Sequence, residues 1–271
     1  MSLQREDLVK YINEHYRGPH MVLAAAGGVD HQKLVDLGKQ YFGDLGGVDE
    51  NFVAESGKFT TSYVGYFQDI RDERMSMVFG ALAVEGASWT HPHNIPLMVA
   101  NTLIGQWDRT NAVGINAPSR LAQSLGLNAR VQSFQAFNTC YKDTGLVGVY
   151  FVCEESGARA VVDSITQQWI DLCDNITEEE VERGKRSLLT NMSLMLDGST
   201  PICEDIGRIG ILEICWVVLP RWFSRYWERI ILVCGIGKAV TAKTVKEVAS
   251  RIFRNKPLAY TVVGKCGLCP S

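Results

Sequence analysis

Five histidines stand at positions 15, 20, 31, 91 and 93, so every imidazole-dependent mechanism can be checked by enumeration. None lies in H-E-x-x-H or H-x-x-E-H, the spacings that put two imidazoles and a carboxylate on one helical face around zinc. His91-Pro-His93 is the one close pair. Two nitrogens leave a zinc shell incomplete, and the intervening proline fits a chain passing from extended to helical backbone. The pair therefore reads as the start of a helix carrying two partly exposed imidazoles. At the far end, Cys266-Gly-Leu-Cys269 is a lone C-x-x-C. A structural zinc needs four ligands, and no second pair follows at suitable spacing.

Three further motifs invite chemistry. Asp143-Thr144-Gly145 matches the local signature of aspartic proteases, whose mechanism needs two carboxylates sharing a proton; one copy supplies one carboxylate. Here the aspartate precedes an apolar run, and turn formation explains it, because Asp side chains bond nearby backbone in turns. Gly27-Gly28 falls between an apolar run and a helical pattern, where a phosphate cradle could form. No G-x-G-x-x-G and no following Gly-Lys-Ser or Gly-Lys-Thr accompanies it, so it reads as a tight turn. No G-x-S-x-G marks a serine nucleophile. The reading assigns no catalytic, cofactor-binding or metal-binding residue.

The 271 residues are 46% hydrophobic and 21% charged, enough to bury a sizeable core and far from a disordered composition. A net charge of -3 offers no clustered cation surface for nucleic acid or anionic lipid. Glu178 to Glu180, the densest charge run, fits a solvated helix start. Eight scattered cysteines lack the dense spacing of a secreted disulfide framework and fit a reducing compartment. The stretch from Ile209 to Ile236 is apolar but broken by Glu213, Pro220, Arg221, Arg225, Glu228 and Arg229. Charged residues at mid-bilayer each cost about 2.5–3.5 kcal/mol, so no membrane span is expected. Met1 to Asp7 has no targeting character, and an import signal is expected upstream.

The elements that would position these residues follow from periodicity. Residues 4–15 carry Leu8, Tyr11, Ile12 and His15 at helical spacing, and the apolar run His20 to Ala26 reads as a buried strand. Asp30 can cap a helix with Leu34, Leu37, Tyr41 and Phe42 on one face, ending at Gly43. Residues 44–62, with Gly46, Gly47 and Gly57, suit an interdomain linker. Strands are expected at Tyr63–Asp69 and Met75–Glu85, and Pro92 fits the first turn of a helix continuing through Leu97, Met98, Asn101 and Ile104. Residues 129–138 and 144–153 read as a hairpin. A helix burying Val162, Ile165, Trp169 and Leu172 comes next. Thr177 and Glu180 then form a capping box for another. Val245, Val248 and Ile252 mark a last helix, and 258–263 a last strand. Alternating helices and hairpins imply an α+β domain, a mainly antiparallel sheet packed by helices.

Five runs carry a resemblance. Asp7-Leu-Val-Lys-Tyr-Ile-Asn-Glu-His-Tyr-Arg-Gly-Pro-His-Met-Val-Leu-Ala-Ala-Ala-Gly-Gly-Val29 is the most specific; Val84-Glu-Gly-Ala-Ser-Trp-Thr-His-Pro92, Leu97-Met-Val-Ala-Asn-Thr-Leu-Ile-Gly105, Ser133-Phe-Gln-Ala-Phe-Asn138 and Leu196-Asp-Gly-Ser-Thr-Pro-Ile-Cys-Glu-Asp-Ile-Gly-Arg208 follow in order. Together they resemble the mitochondrial pitrilysin-type family, which includes core protein I of respiratory complex III and the β subunit of the processing peptidase. The resemblance implies a pitrilysin-like layered fold with two homologous domains per subunit. Residues 1–43 would be the tail of the first domain, 44–62 the linker, and 63–271 the second, inactive domain, with 209–237 atypical for the family.

The family's zinc motif lies upstream of anything matching residue 3, so the resemblance implies no zinc or other cofactor in this chain. It implies a non-catalytic core subunit of complex III, on the matrix side of the mitochondrial inner membrane or in the matrix. Its partners would be a homologous core or α-type subunit and other complex III subunits, with no nucleic acid. The alternative is the β subunit of the processing peptidase, a zinc endopeptidase acting on import presequences. Thr110-Asn-Ala-Val-Gly-Ile-Asn-Ala-Pro118 departs from the glycine-rich loop expected of that subunit and favours the core protein.

Overall fold

The computed structural model describes residues 3–18, 21–45, 61–128, 130–195, 197–212 and 240–265. Most of the expected linker (44–62), most of the atypical stretch (209–237) and the Cys266/Cys269 pair lie outside them. The chain divides into two compact units, residues 1–60 with 191–221, and residues 61–190 with 222–271.

The larger unit is built on a six-stranded sheet in the order β1-β6-β2-β5-β4-β3. The strands are β1 (Phe67–Arg71), β2 (Val78–Glu85), β3 (Gln106–Asp108), β4 (Val131–Cys140), β5 (Gly145–Cys153) and β6 (Ala259–Gly264). All neighbours are antiparallel except β1 and β6. The final strand is thus inserted between the first two. The hairpin β4–β5 is the longest pairing, and the shift in its register between Val131 and Ser133 marks an irregularity near its open end.

Side chains alternate across a strand, and the alternation assigns the core. Val78, Leu82 and Val84 of β2, Val147, Val149 and Phe151 of β5, Phe134 of β4 and Val262 of β6 are fully or nearly fully buried. Helices α3 (Asn94–Ile104), α4 (Arg120–Gly126), α5 (Ala158–Asp174) and α8 (Ala242–Phe253) join this core. α5 contributes Val161, Ile165, Trp169 and Leu172, and α8 contributes Val245, Val248 and Ile252. The Trp169 ring stacks on Phe253 at 5.0 Å. The first part of α6 (Glu178–Met195) buries Val181 and sets Gly184 against Val99 and Leu103 of α3. On the other side of the sheet Phe79 and Tyr150 remain substantially exposed.

One close approach fixes the middle of the sheet. Gly80 faces Phe151 across the β2–β5 ladder, and a Cβ at position 80 would come within 2.2 Å of the Phe151 ring. The aromatic ring occupies the room a side chain would need.

The smaller unit holds α1 (Arg5–His15), α2 (His31–Phe42) and α7 (Ser199–Leu212). Asp30 caps α2 by accepting from the Lys33 N–H at 2.9 Å, as its position in the sequence indicates. The run Met21–Ala26, expected as a strand, forms none. Nor is it buried throughout: Met21, Val22 and Leu23 are exposed and Ala24–Ala26 half-buried, with Leu23 against Gly38 of α2 and Ala24 against Gly207 of α7, and the Cys203 thiol donates to the Ala24 carbonyl. Helices flank it where a strand would need a backbone partner. Two smaller shifts occur in the larger unit. β1 begins at Phe67, where pairing with β6 begins, and Pro92 lies in the turn before α3 rather than in its first helical turn.

Replacing Gly80 by alanine is expected to force the Phe151 ring aside and to lower the unfolding free energy by about 1–3 kcal/mol, the usual range for overpacking. Urea denaturation of the full chain measures this as a lower midpoint with an unchanged slope.

Candidate functional site

The His91–Pro92–His93 corner is made by the turn that joins β2 to α3. Gly86 N–H donates to Gly145 O at 2.8 Å and Trp89 N–H to Tyr141 O at 3.1 Å, fastening this turn to the end of the β4–β5 hairpin. The imidazole rings meet edge to face with centroids 4.5 Å apart. His91 Nδ1 accepts the His93 backbone N–H at 3.1 Å, so that nitrogen is already engaged. Beside them Asn94, which is buried, donates to Trp89 O and accepts from the Cys140 thiol at 3.3 Å. Burial pushes the Cys140 thiol up from its ordinary value, away from thiolate. His93 is held below its ordinary value by burial first, then by His91 and by Arg251 on α8.

A zinc ion needs at least three protein ligands converging on one point. Among the described residues no three His, Cys, Asp or Glu side chains converge in that way. The family's implied metal therefore does not fit the residues described. His91 Nδ1 and the Asn94 side chain are engaged in the turn at the start of α3.

Asp143 sits in the hairpin connection. Its carboxylate accepts the Thr61 backbone N–H at 3.1 Å, and contacts with Thr61, foremost among its surroundings, hold the carboxyl below its ordinary value. The neighbouring Thr144 hydroxyl donates to Glu85. A carboxylate kept ionised by backbone donors is the opposite of one poised to share a proton, and no second aspartate faces it in these contacts. Gly27 has φ +118, a conformation that glycine adopts without strain, and a Cβ at Gly27 or Gly28 would meet nothing within 4 Å. Nothing there approaches closely enough to need a phosphate-cradling loop.

One polar constellation was not legible in the sequence. Thr177 and Glu180 form the expected capping box, with Thr177 N–H donating to Glu180 Oε2 at 3.0 Å and Glu180 N–H to Thr177 Oγ1 at 3.3 Å. Arg120, at the first position of α4, adds a two-pronged contact to the same carboxylate, 2.5 and 2.6 Å long, and also reaches Asn175 O. The three groups join α4 to the start of α6 across a crevice lined also by Gln168, Asp171 and Arg183. Burial pushes the Glu180 carboxyl up, but Thr177 and Arg120 together outweigh it and hold the group below its ordinary value. A partner sixty residues away leaves no trace in local sequence spacing. Nearby, Glu178 accepts the Ala242 N–H at 2.8 Å and so helps to fix the start of α8, and Asp174 pairs with Arg254 just beyond its end.

No helix among the described residues is long and apolar enough to cross a membrane.

Residues 2–188 match a family described as the Peptidase M16 inactive domain. The chain is 44% identical to the mitochondrial-processing peptidase subunit beta of Caenorhabditis elegans, over 99% of this chain and 56% of that protein. It is 43% identical to the human protein of the same name, over 97% and 51%. It is 41% identical to subunit 1 of the bovine mitochondrial cytochrome b-c1 complex, over 93% and 50%. The chain thus spans about half the length of these curated relatives. A chain in a solved structure of complex III2 from Candida albicans with Inz-5 bound has a TM-score of 0.79 at 21% identity, covering 97% of this chain and 59% of that one. That likeness is one of fold.

Loss of Arg120, as Arg120→Ala, is expected to lower stability near pH 7 by about 1–2 kcal/mol, the low end for bonds to a charged group that solvent still reaches. Because the folded-state pKa of Glu180 is depressed, the contribution is present above the ordinary carboxylate range and disappears as pH falls through it. Urea titrations of both proteins should therefore show a gap at about pH 7 that narrows as pH falls below the ordinary carboxylate range.

Proposed function

The chain belongs to the M16 peptidase family, within its inactive domain, and on that premise we propose that it serves as the non-catalytic, contact-forming half of a mitochondrial subunit. The observation that carries this reading is identity of 41–44% over more than nine tenths of the chain to subunits of two mitochondrial assemblies. The chemistry of the described residues agrees with it, since the candidate polar groups are engaged in turns, caps and inter-helix bonds. On this reading residues 1–43 are the tail of a first domain and 63–271 the second, and any zinc belongs to neither.

The assembly we propose is complex III, with the chain as part of a core subunit on the matrix side of the inner membrane. A homologous core or α-type subunit and other complex III subunits would be its partners. The Thr110–Pro118 stretch supports the core subunit: it holds a single 3₁₀ turn at Gly114–Asn116, and Trp107 Nε1 donates to Ala112 O at 3.0 Å, pinning it to the sheet edge. A second reading, the β subunit of the processing peptidase, is favoured by identity, 44% against 41%.

Native electrophoresis of detergent-solubilised mitochondria, followed with an antibody to this chain, separates the two. Co-migration with cytochrome b is the expected result. Migration only with a soluble, presequence-cleaving complex would replace the first reading by the second, and migration with neither would overturn both.

A further inference from the structure

The first turn of α3 is held by a bond that only an unprotonated imidazole nitrogen can make. His93 N–H donates to His91 Nδ1 at 3.1 Å, and a ring nitrogen accepts only when it carries no hydrogen. An imidazolium carries hydrogen on both nitrogens, so a proton on His91 turns this acceptor into a donor facing a donor. The same residue fixes the turn on either side: its N–H donates to Ser88 O at 3.2 Å and its carbonyl accepts from Asn94 N–H at 2.9 Å. The His93 ring lies 4.5 Å away at the N-cap of α3, where its side chain makes no capping bond. A positive charge at that place opposes the helix dipole.

Burial, His91 from the same turn and Arg251 from α8 all disfavour a charged His93. From β4 the corner is reached by Cys140, whose thiol donates to Asn94 and also contacts Asn138. The turn is in turn tied to the hairpin end through Trp89 N–H and Tyr141 O.

The geometry points to a proton-sensitive latch: on acidification the His91–His93 pair takes up a proton, the Nδ1 bond breaks, and the Ser88–Asn94 turn opens and releases the β4–β5 hairpin end. The sign follows from linkage. His93, held below its ordinary value in the folded corner, binds a proton more readily once the corner opens, so local stability falls with pH through the histidine range.

Hydrogen–deuterium exchange on the full chain tests this at about pH 7.5 and about pH 5.5, with rates corrected for the intrinsic pH dependence of exchange. Protection of the His93, Asn94 and Leu97 amides should fall about tenfold or more at the lower pH. In His91→Asn a side-chain carbonyl that does not titrate can accept the N–H two residues on, and protection should stay level. Unchanged protection in the wild type, or the same loss in His91→Asn, overturns the proposal. NMR titration of the wild type serves as well should the variant fold poorly. Loss of the His93 amide's protection should follow the ring titration of the pair, and an amide unmoved through that titration overturns the latch.

Discussion

The larger unit depends on β6 finding its place between β1 and β2. Its parallel partner runs from Phe67 to Arg71 and its antiparallel partner from Phe79 to Ala83, so both neighbours come from the opposite end of that unit's sequence. Each backbone N–H and C=O in the interior of a sheet needs a partner, and without β6 the adjoining edges of β1 and β2 would be bare. Placing β6 also brings in α8, whose Val245, Val248 and Ile252 complete the buried cluster. Such distant pairing delays its reward until a long loop has closed. The β4–β5 hairpin, by contrast, needs only the short connection through Lys142 and Asp143.

This framework explains how the chemically suggestive residues are used within the fold. The ends of strands and the starts of helices leave backbone groups unsatisfied, and the polar side chains stand at those places. His91 accepts at the start of α3, Asp143 holds Thr61, Asp30 caps α2, and Glu180 closes the capping box of α6 while Arg120 grips it from α4. The His91 and Asp143 side chains that could suggest catalysis each have a neighbour within hydrogen-bond distance. A carboxylate held by donors stays ionised, and a thiol desolvated by burial stays protonated. Neither condition suits a shared-proton dyad or an activated nucleophile.

Much of this was legible in the residues. The 3.6-residue spacing of Ile165, Trp169 and Leu172, the aromatic and β-branched runs flanking Asp143, and the Thr177–Glu180 box are local signals, and the structure follows them. Met21–Ala26 misled because an apolar run need be neither buried nor paired: Met21, Val22 and Leu23 stay exposed and only Ala24–Ala26 are half-buried. The insertion of β6, the Gly80–Phe151 approach and the Arg120–Glu180 pair join residues far apart in sequence. No periodicity encodes them. The His91 bond lay in plain sight as a spacing of two, but which nitrogen accepts and from which donor is set by the turn's conformation.

The proposal that this polypeptide contributes shape and surface rests on membership of the M16 family and on polar groups bonded within the fold. The most direct measurement is zinc content together with presequence-peptide cleavage by the purified 271-residue chain. A chain that works by contact alone carries substoichiometric zinc and leaves the peptide intact. One bound zinc per chain with cleavage that a chelator abolishes would contradict the account.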